Sequence, residues 1–294
     1  MQQNETDHFS HMNPLQSPLD ELFARLALIN GLLSIFESQQ TNFRSLLTAR
    51  LEKDRFDIAN LVTGANLIIR DLTEWPAHGW AEYYPAGGLI VEGNEYLNLI
   101  EVFVQRQSAW SIAQSYEAFE TFLFDFMASV IANDKKGKFL GRLAVENSED
   151  GNFDPMNLEE LKVKIRQTYR SKNNCKLLKA IRTMAPNLEQ AEVANNRRLN
   201  LRDWYKVISE VRHAVTHSDL LVKNARMNGW SVEEKSLLQS IVAGKLNVIG
   251  YALAPTRKNS EKTIQSFAEY SLAIFKSFSI ECGYEWSKAV KGYG

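Results

Sequence analysis

Residues 203–219 read DWYKVISEVRHAVTHSD. Trp204, Val207, Ile208, Val211 and Val215 recur at three- and four-residue steps, which is the apolar stripe of an amphipathic helix. Asp203 stands where an N-cap belongs, because its carboxylate can accept from the free N–H groups of the first turn. Arg212, His213 and His217 gather near the other end, and the two histidines are among only five in the chain. The stretch predicts a helix with one packed side and one chemically equipped end, supported by the remaining helices.

Upstream, residues 174–184 predict a helix that stops before Pro186, and residues 158–170 a basic helix opened by Asn157 and Glu160 in capping-box spacing. Residues 133–157 read as a loop with Gly137, Gly141, Gly151 and Pro155. A long helical pattern covers residues 95–132, in two pieces split near Gln107, with Ile112, Tyr116, Phe119, Leu123 and Phe126 on its main face. Glu120 lies at the edge of that face. Either it points outward, or it is partly buried and Arg212 is its candidate partner, since a buried carboxylate is costly without one.

Residues 75–93 break the helical pattern with Pro76, Gly79, Pro85, Gly87, Gly88 and Gly93, and a short strand is expected over 88–92. The aromatics there, Trp75, Trp80, Tyr83 and Tyr84, either pin the loop to a core or stack on bases. Helical patterns precede it over 41–72 and from Ser17 onward, where Ser17 caps, Pro18 takes the first helical position, and Asp20 and Glu21 suit the positive helix end. Residues 1–16 read as a disordered tail in which nothing completes a metal site around His8 and His11.

Downstream of the central helix, Ser231 with Glu234 opens a helix that ends by Gly244. Residues 245–253 read as a short strand closed by Pro255, and residues 260–278 as the last helix. The expected class is mainly α with at most a short β element. The expected division is a tail over 1–16, an N-terminal helical region over 17–100, and a helical domain over 108–280.

The composition supports a packed, ordered chain: of 294 residues, 45% are hydrophobic, with six Trp, ten Tyr and fifteen Phe. The formal net charge of −1 gives no global signal for a polyanion or a membrane, but its distribution is uneven. Residues 134–226 hold 19 Lys/Arg against 12 Asp/Glu, and the central helix lies in that basic stretch. The excess is either a set of solvated helix faces or an electrostatic footprint for a polyanion. Cys175 and Cys282 make no disulfide framework and fit a reducing compartment. The polar start lacks the apolar segment of a signal peptide, and no apolar run is long enough for a bilayer. A cytoplasmic protein without a membrane partner is expected.

The chain contains no G-x-x-x-x-G-K-[ST] phosphate loop, no G-x-S-x-G elbow, no H-E-x-x-H pair and no paired C-x-x-C. What remains is R-H-A-V-T-H at 212–217. An Arg with a nearby His suits RNA phosphodiester cleavage. The guanidinium steadies growing phosphate charge, while an imidazole exchanges protons near neutral pH. That chemistry asks for no metal. His213 and His217 share a face, but a metal site there needs a third ligand from elsewhere. On an ideal helix Arg212 and His217 stand about 140° apart, so they converge if the Arg reaches round, the helix loosens near Thr216, or a second subunit completes the site.

R-x-x-x-x-H with a polar residue after the Arg, on a late helix of an all-α domain, resembles the HEPN family (higher eukaryotes and prokaryotes nucleotide-binding). The YEAFE helix at 116–120 resembles that family's first long helix. The resemblance covers about residues 108–278 and implies a HEPN-like helical bundle. It further implies a metal-independent endoribonuclease with no cofactor, acting in toxin–antitoxin, abortive-infection or other antiviral defence. Arg212 and His217 would be catalytic, and His213 and Glu120 would bind substrate or assist. RNA would be the substrate, a homodimer the working form, and an antitoxin or regulatory protein a possible partner. The alternative is a non-catalytic HEPN-like nucleotide-binding or interaction scaffold.

Overall fold

The structure is a computed structural model that describes residues 13–53, 63–65, 69–70, 82–83, 89–91, 93–134, 138–139, 158–169 and 175–286. The chain is mainly helical. His8, His11, Trp75, Trp80, Tyr84, Asn157 and most of the 133–157 loop lie outside the described residues.

Two compact units divide the chain, one built from its start to Leu32 together with Ser108 to its end, the other from Leu33–Gln107. The border falls inside two long helices, α1 (Gln16–Lys53) and α2 (Gly93–Ala132). Leu15, Leu19, Leu22 and Leu26 are buried in the same core as α2 residues from Ile112 onward. The helix also starts one residue before Ser17, and it is Asn13 whose Oδ1 accepts from Leu15 N at 3.0 Å.

In the second unit, α1 and α2 bracket four short strands, β1 (Thr63–Ala65), β2 (Ile69–Arg70), β3 (Glu82–Tyr83) and β4 (Leu89–Val91). β1 pairs with β4 and β2 with β3, both antiparallel. The strand expected over 88–92 is β4. Of the helix expected over 41–72, the described part runs to Lys53, and Thr63–Ala65 is a strand paired with β4; a Gly placed in mid-pattern weakens a helix.

In the first unit α2 is followed by α3 (Leu158–Tyr169), α4 (Cys175–Met184), α5 (Pro186–Val193) and α6 (Leu201–His217). Then come β5 (Leu221–Lys223), α7 (Asn224–Met227), α8 (Val232–Ile241), β6 (Gly244–Leu246), β7 (Gly250–Leu253) and α9 (Arg257–Cys282). The expected capping box of Ser231 and Glu234 opens α8, and a second one, Thr256 with Asn259, opens α9. Residues 245–253 make a hairpin rather than one strand, and the antiparallel sheet runs β5-β7-β6. A side chain at Gly244 or Gly250 would collide with the carbonyl of Ala252 or Val222, so the tight pairing needs glycine at both places.

Aromatic rings join α2, α6 and α9. Tyr116 stacks on Tyr205 at 5.4 Å, Phe119 packs on Phe267 at 5.1 Å and on Tyr270 at 5.4 Å, and Trp204 meets Phe267 edge-on at 4.8 Å. Such pairs contribute about 0.5–1.5 kcal/mol each beyond their buried area. They fix the N-terminal half of α6 and leave its other end at the surface. Among the described residues no helix is long and apolar enough to cross a membrane.

Candidate functional site

The cap of α6 is Asn200, whose side chain accepts from the N–H groups of Arg202 and Asp203. Asp203 is displaced into the first turn, where its Oδ2 accepts from Asn200 Nδ2 at 2.7 Å. Trp204, Val207, Ile208 and Val211 are buried as their spacing predicts, joined by Tyr205 and Ala214, while Val215 is only partly covered. The stripe thus fades along the helix, and the last turns carry polar groups at half-exposed positions.

Arg212 turns toward α2. Its Nη2 donates to Glu117 Oε1 at 3.2 Å, and its guanidinium lies 6.0 Å from the centre of the Tyr116 ring. Glu120 shares this corner. Burial pushes its carboxyl up to about 7, against the downward pull of Arg212 and of a hydrogen bond with Tyr116. Near neutral pH that group holds its proton about half the time. Among the described residues, the buried Nε of Arg212 and Oε2 of Glu210 have no hydrogen-bond partner.

The histidines form a second corner. The rings of His213 and His217 lie 5.0 Å apart. His213 Nε2 stands 3.0 Å from Arg226 Nη2, and Arg226 also reaches Glu210 Oε1 at 3.4 Å. A guanidinium only donates, so this nitrogen accepts and the neutral ring carries its proton on Nδ1. Burial, with the Arg226 charge next in weight, holds the His213 pKa below the usual imidazole value and favours that neutral form. His217 is exposed at the helix end.

Arg212 and His217 do not hydrogen-bond to each other: one is joined to α2, the other to His213. The helix does not loosen at Thr216, whose hydroxyl donates to the Arg212 carbonyl at 3.0 Å. It ends instead in two successive left-handed residues, Asp219 at φ 47° and Leu220 at φ 63°. Leucine adopts that region at a cost of roughly 1–2 kcal/mol. The bend is held by Ser218 N and Leu220 N, which both donate to the Ala214 carbonyl at 3.1 Å, and by Leu253 N, which donates to the Leu220 carbonyl at 2.8 Å.

Sequence reasoning missed Arg226 and Glu117. Arg226 belongs to a four-residue helix without periodicity. Glu117 is one turn from Glu120 and differs from it only in how α2 is rotated. It also missed a cleft of about 520 Å³ between α4, α6 and α8. Lys179, Arg182, Arg202 and Lys206 line it with Glu189, Asp203 and Glu234. Two of its cations are paired there, Arg202 with Glu189 at 2.8 Å and Lys206 with Glu234 at 2.6 Å. Among the described residues no cluster of three or more His, Cys, Asp or Glu is placed to hold a metal ion. Comparison with protein-family models, with curated proteins and with solved structures finds no match to the chain.

Proposed function

We propose that this chain is a metal-independent endoribonuclease of HEPN type, acting as a homodimer in toxin–antitoxin, abortive-infection or other antiviral defence. The supporting observation is the pair of imidazoles 5.0 Å apart at an accessible helix end, one held neutral beside Arg226. His217 is the acid/base, since its ring is open to a substrate. It takes the proton of the ribose 2′-hydroxyl as that oxygen attacks phosphorus. The bond to the 5′ oxygen breaks, and that oxygen leaves with the proton that His217 has taken up, which gives a 2′,3′-cyclic phosphate and a 5′-hydroxyl. Arg212 steadies the charge on the phosphoryl oxygens. His213, with its Nδ1–H free to donate, orients His217 or the phosphate. Glu120 assists by holding a proton near neutral pH.

A second reading rests on a specific contact. Arg212 is already engaged by Glu117 and by the Tyr116 ring, as a purely structural arginine would be. On that reading the chain is a non-catalytic HEPN-like nucleotide-binding or interaction scaffold.

Cleavage of mixed RNA in EDTA separates the two. The wild type is expected to cut and leave 2′,3′-cyclic phosphate ends, and His217→Ala, folded by circular dichroism, is expected to lose the activity by about 10²-fold or more. Equal rates in both proteins, or cleavage by neither, would make the scaffold the working reading. Because His217 is exposed, the same change should leave stability within about 0.5 kcal/mol.

A further inference from the structure

The turn that joins β6 to β7 is apolar. Leu246, Val248 and Ile249 are 69%, 94% and 62% exposed there, in a place where Gly, Asn, Asp and Ser are the common choice. The tip is nonetheless well formed. Asn247 N donates to the Gly250 carbonyl at 2.8 Å, and Asn247 Oδ1 accepts from Ile249 N at 3.0 Å and from Gly250 N at 2.9 Å. From α7, Asn224 Nδ2 donates to the Val248 carbonyl at 2.8 Å and Asn224 N to the Ile249 carbonyl at 3.0 Å. Two asparagines thus satisfy the carbonyls of both tip residues. What the tip offers to its surroundings is aliphatic side chain.

The flanks carry positive charge only. Residues 220–232 and 242–256, which hold the sheet and α7, contain Lys223, Arg226 and Lys245 and no Asp or Glu. Lys223 stands opposite Gly250 and Lys245 opposite Ala252. Residues two apart on a strand share a face, so both lysines lie on one face of the sheet, one to each side of β7. Val222, Tyr251 and Leu253 are buried in the core. Arg226 is held by Glu210, whereas the two exposed lysines form no ion pair among the described residues.

We infer that this hairpin tip docks on an anionic lipid surface, with Val248 and Ile249 entering the headgroup boundary and Lys223 and Lys245 lying against lipid phosphates. Three features select that partner. A convex aliphatic tip has no ring to stack on a base, which sets nucleic acid aside. A tip whose carbonyls are already bonded enters an apolar layer without leaving them unpaired. Flanks without carboxylates meet no repulsion at a negatively charged surface. The contact is shallow and reversible, as a single short anchor is. It needs no spanning helix, so it is compatible with the absence of one among the described residues. It departs from the sequence expectation of no membrane partner, which weighed spanning segments alone.

The inference uses no residue of the Arg–His motif, so it and the ribonuclease reading can fail separately. The test is sedimentation of the full chain with vesicles of phosphatidylglycerol and phosphatidylcholine in equal parts, and with vesicles of phosphatidylcholine alone. The wild type is expected to bind the mixed vesicles and to leave the neutral ones. Val248→Asn should weaken that binding about tenfold and Lys245→Gln about fivefold, both with unchanged circular dichroism. Leu46→Asn is the control, at a side chain 71% exposed on α1, and should bind as the wild type does. A wild type that ignores the mixed vesicles would overturn the inference and leave the tip to an apolar pocket of a protein. Equal binding to neutral vesicles, equal binding by Val248→Asn, or an equal loss in Leu46→Asn would overturn it too.

Discussion

Two trios of the same composition, an Arg, a Glu and a Tyr, sit in the first unit and behave differently. In one, Glu192 is completely buried. It accepts from Arg182 Nε at 2.6 Å and from the Tyr270 hydroxyl, with Arg202 3.7 Å away. Burial first, and the Glu192 charge second, push the Tyr270 hydroxyl far up, so it stays a donor. In the other, Arg212 contacts Glu117 and the face of Tyr116, while the Tyr116 hydroxyl reaches Ser209 at 3.3 Å. Glu117 is 54% exposed there, and one Arg212 nitrogen is left without a partner. A closed trio fastens helices together. An open one leaves hydrogen-bonding capacity unused.

The contrast breaks most sharply at Glu192. Glu192→Ala leaves a buried guanidinium uncompensated and should cost about 3–5 kcal/mol, read as a lower urea midpoint at unchanged slope. A loss below about 1 kcal/mol would mean the closed trio fastens nothing.

Glu120 should come next, through pH. Its carboxyl stands at 4.5 ordinarily and at about 7 in the fold. Between those values the folded chain keeps a proton that the unfolded chain has released, so stability falls as pH rises through this window. The full fall is of order 3 kcal/mol at most. Urea midpoints measured from about pH 4 to about pH 8 should decline in the wild type. Glu120→Gln should flatten that decline.

The smallest effect belongs to Glu117. An exposed pair contributes about 0–1 kcal/mol, so a double-mutant cycle of Glu117→Ala with Arg212→Ala should return a coupling in that range. A coupling above about 2 kcal/mol would move Arg212 into the fastening class and favour the scaffold reading.

The open trio was half legible in the sequence and the closed one was not. Arg212 and Tyr116 announce themselves because each lies on or beside a clear helical stripe, and the mainly α class follows from such stripes. Glu192 gives no local sign. It sits in α5, which the sequence hides because Pro186 reads as the stop of α4 although it also serves as the first residue of the next helix. Its partners come from α4, α6 and α9 and meet only after packing. The cap of α6 misleads for a related reason: Asn200 and Asp203 are both good caps, and the choice depends on Asn195, whose Nδ2 holds the Leu199 carbonyl at 2.7 Å and fixes the chain just before the helix. The continuity of α2 past Gln107 was equally invisible, since the pattern changes there without the backbone doing so.

The left-handed pair after His217 ties local motions together. Leu220 lends its N–H to the last turn of α6 and its carbonyl to Leu253 in β7. The turn bearing Thr216 and His217 therefore cannot fray as a free helix end would. Opening it also releases a bond at the end of the sheet. In amide hydrogen exchange, Ser218, Leu220 and Leu253 should open as one cooperative unit, and the imidazole at the end of α6 should be as steady as the sheet behind it.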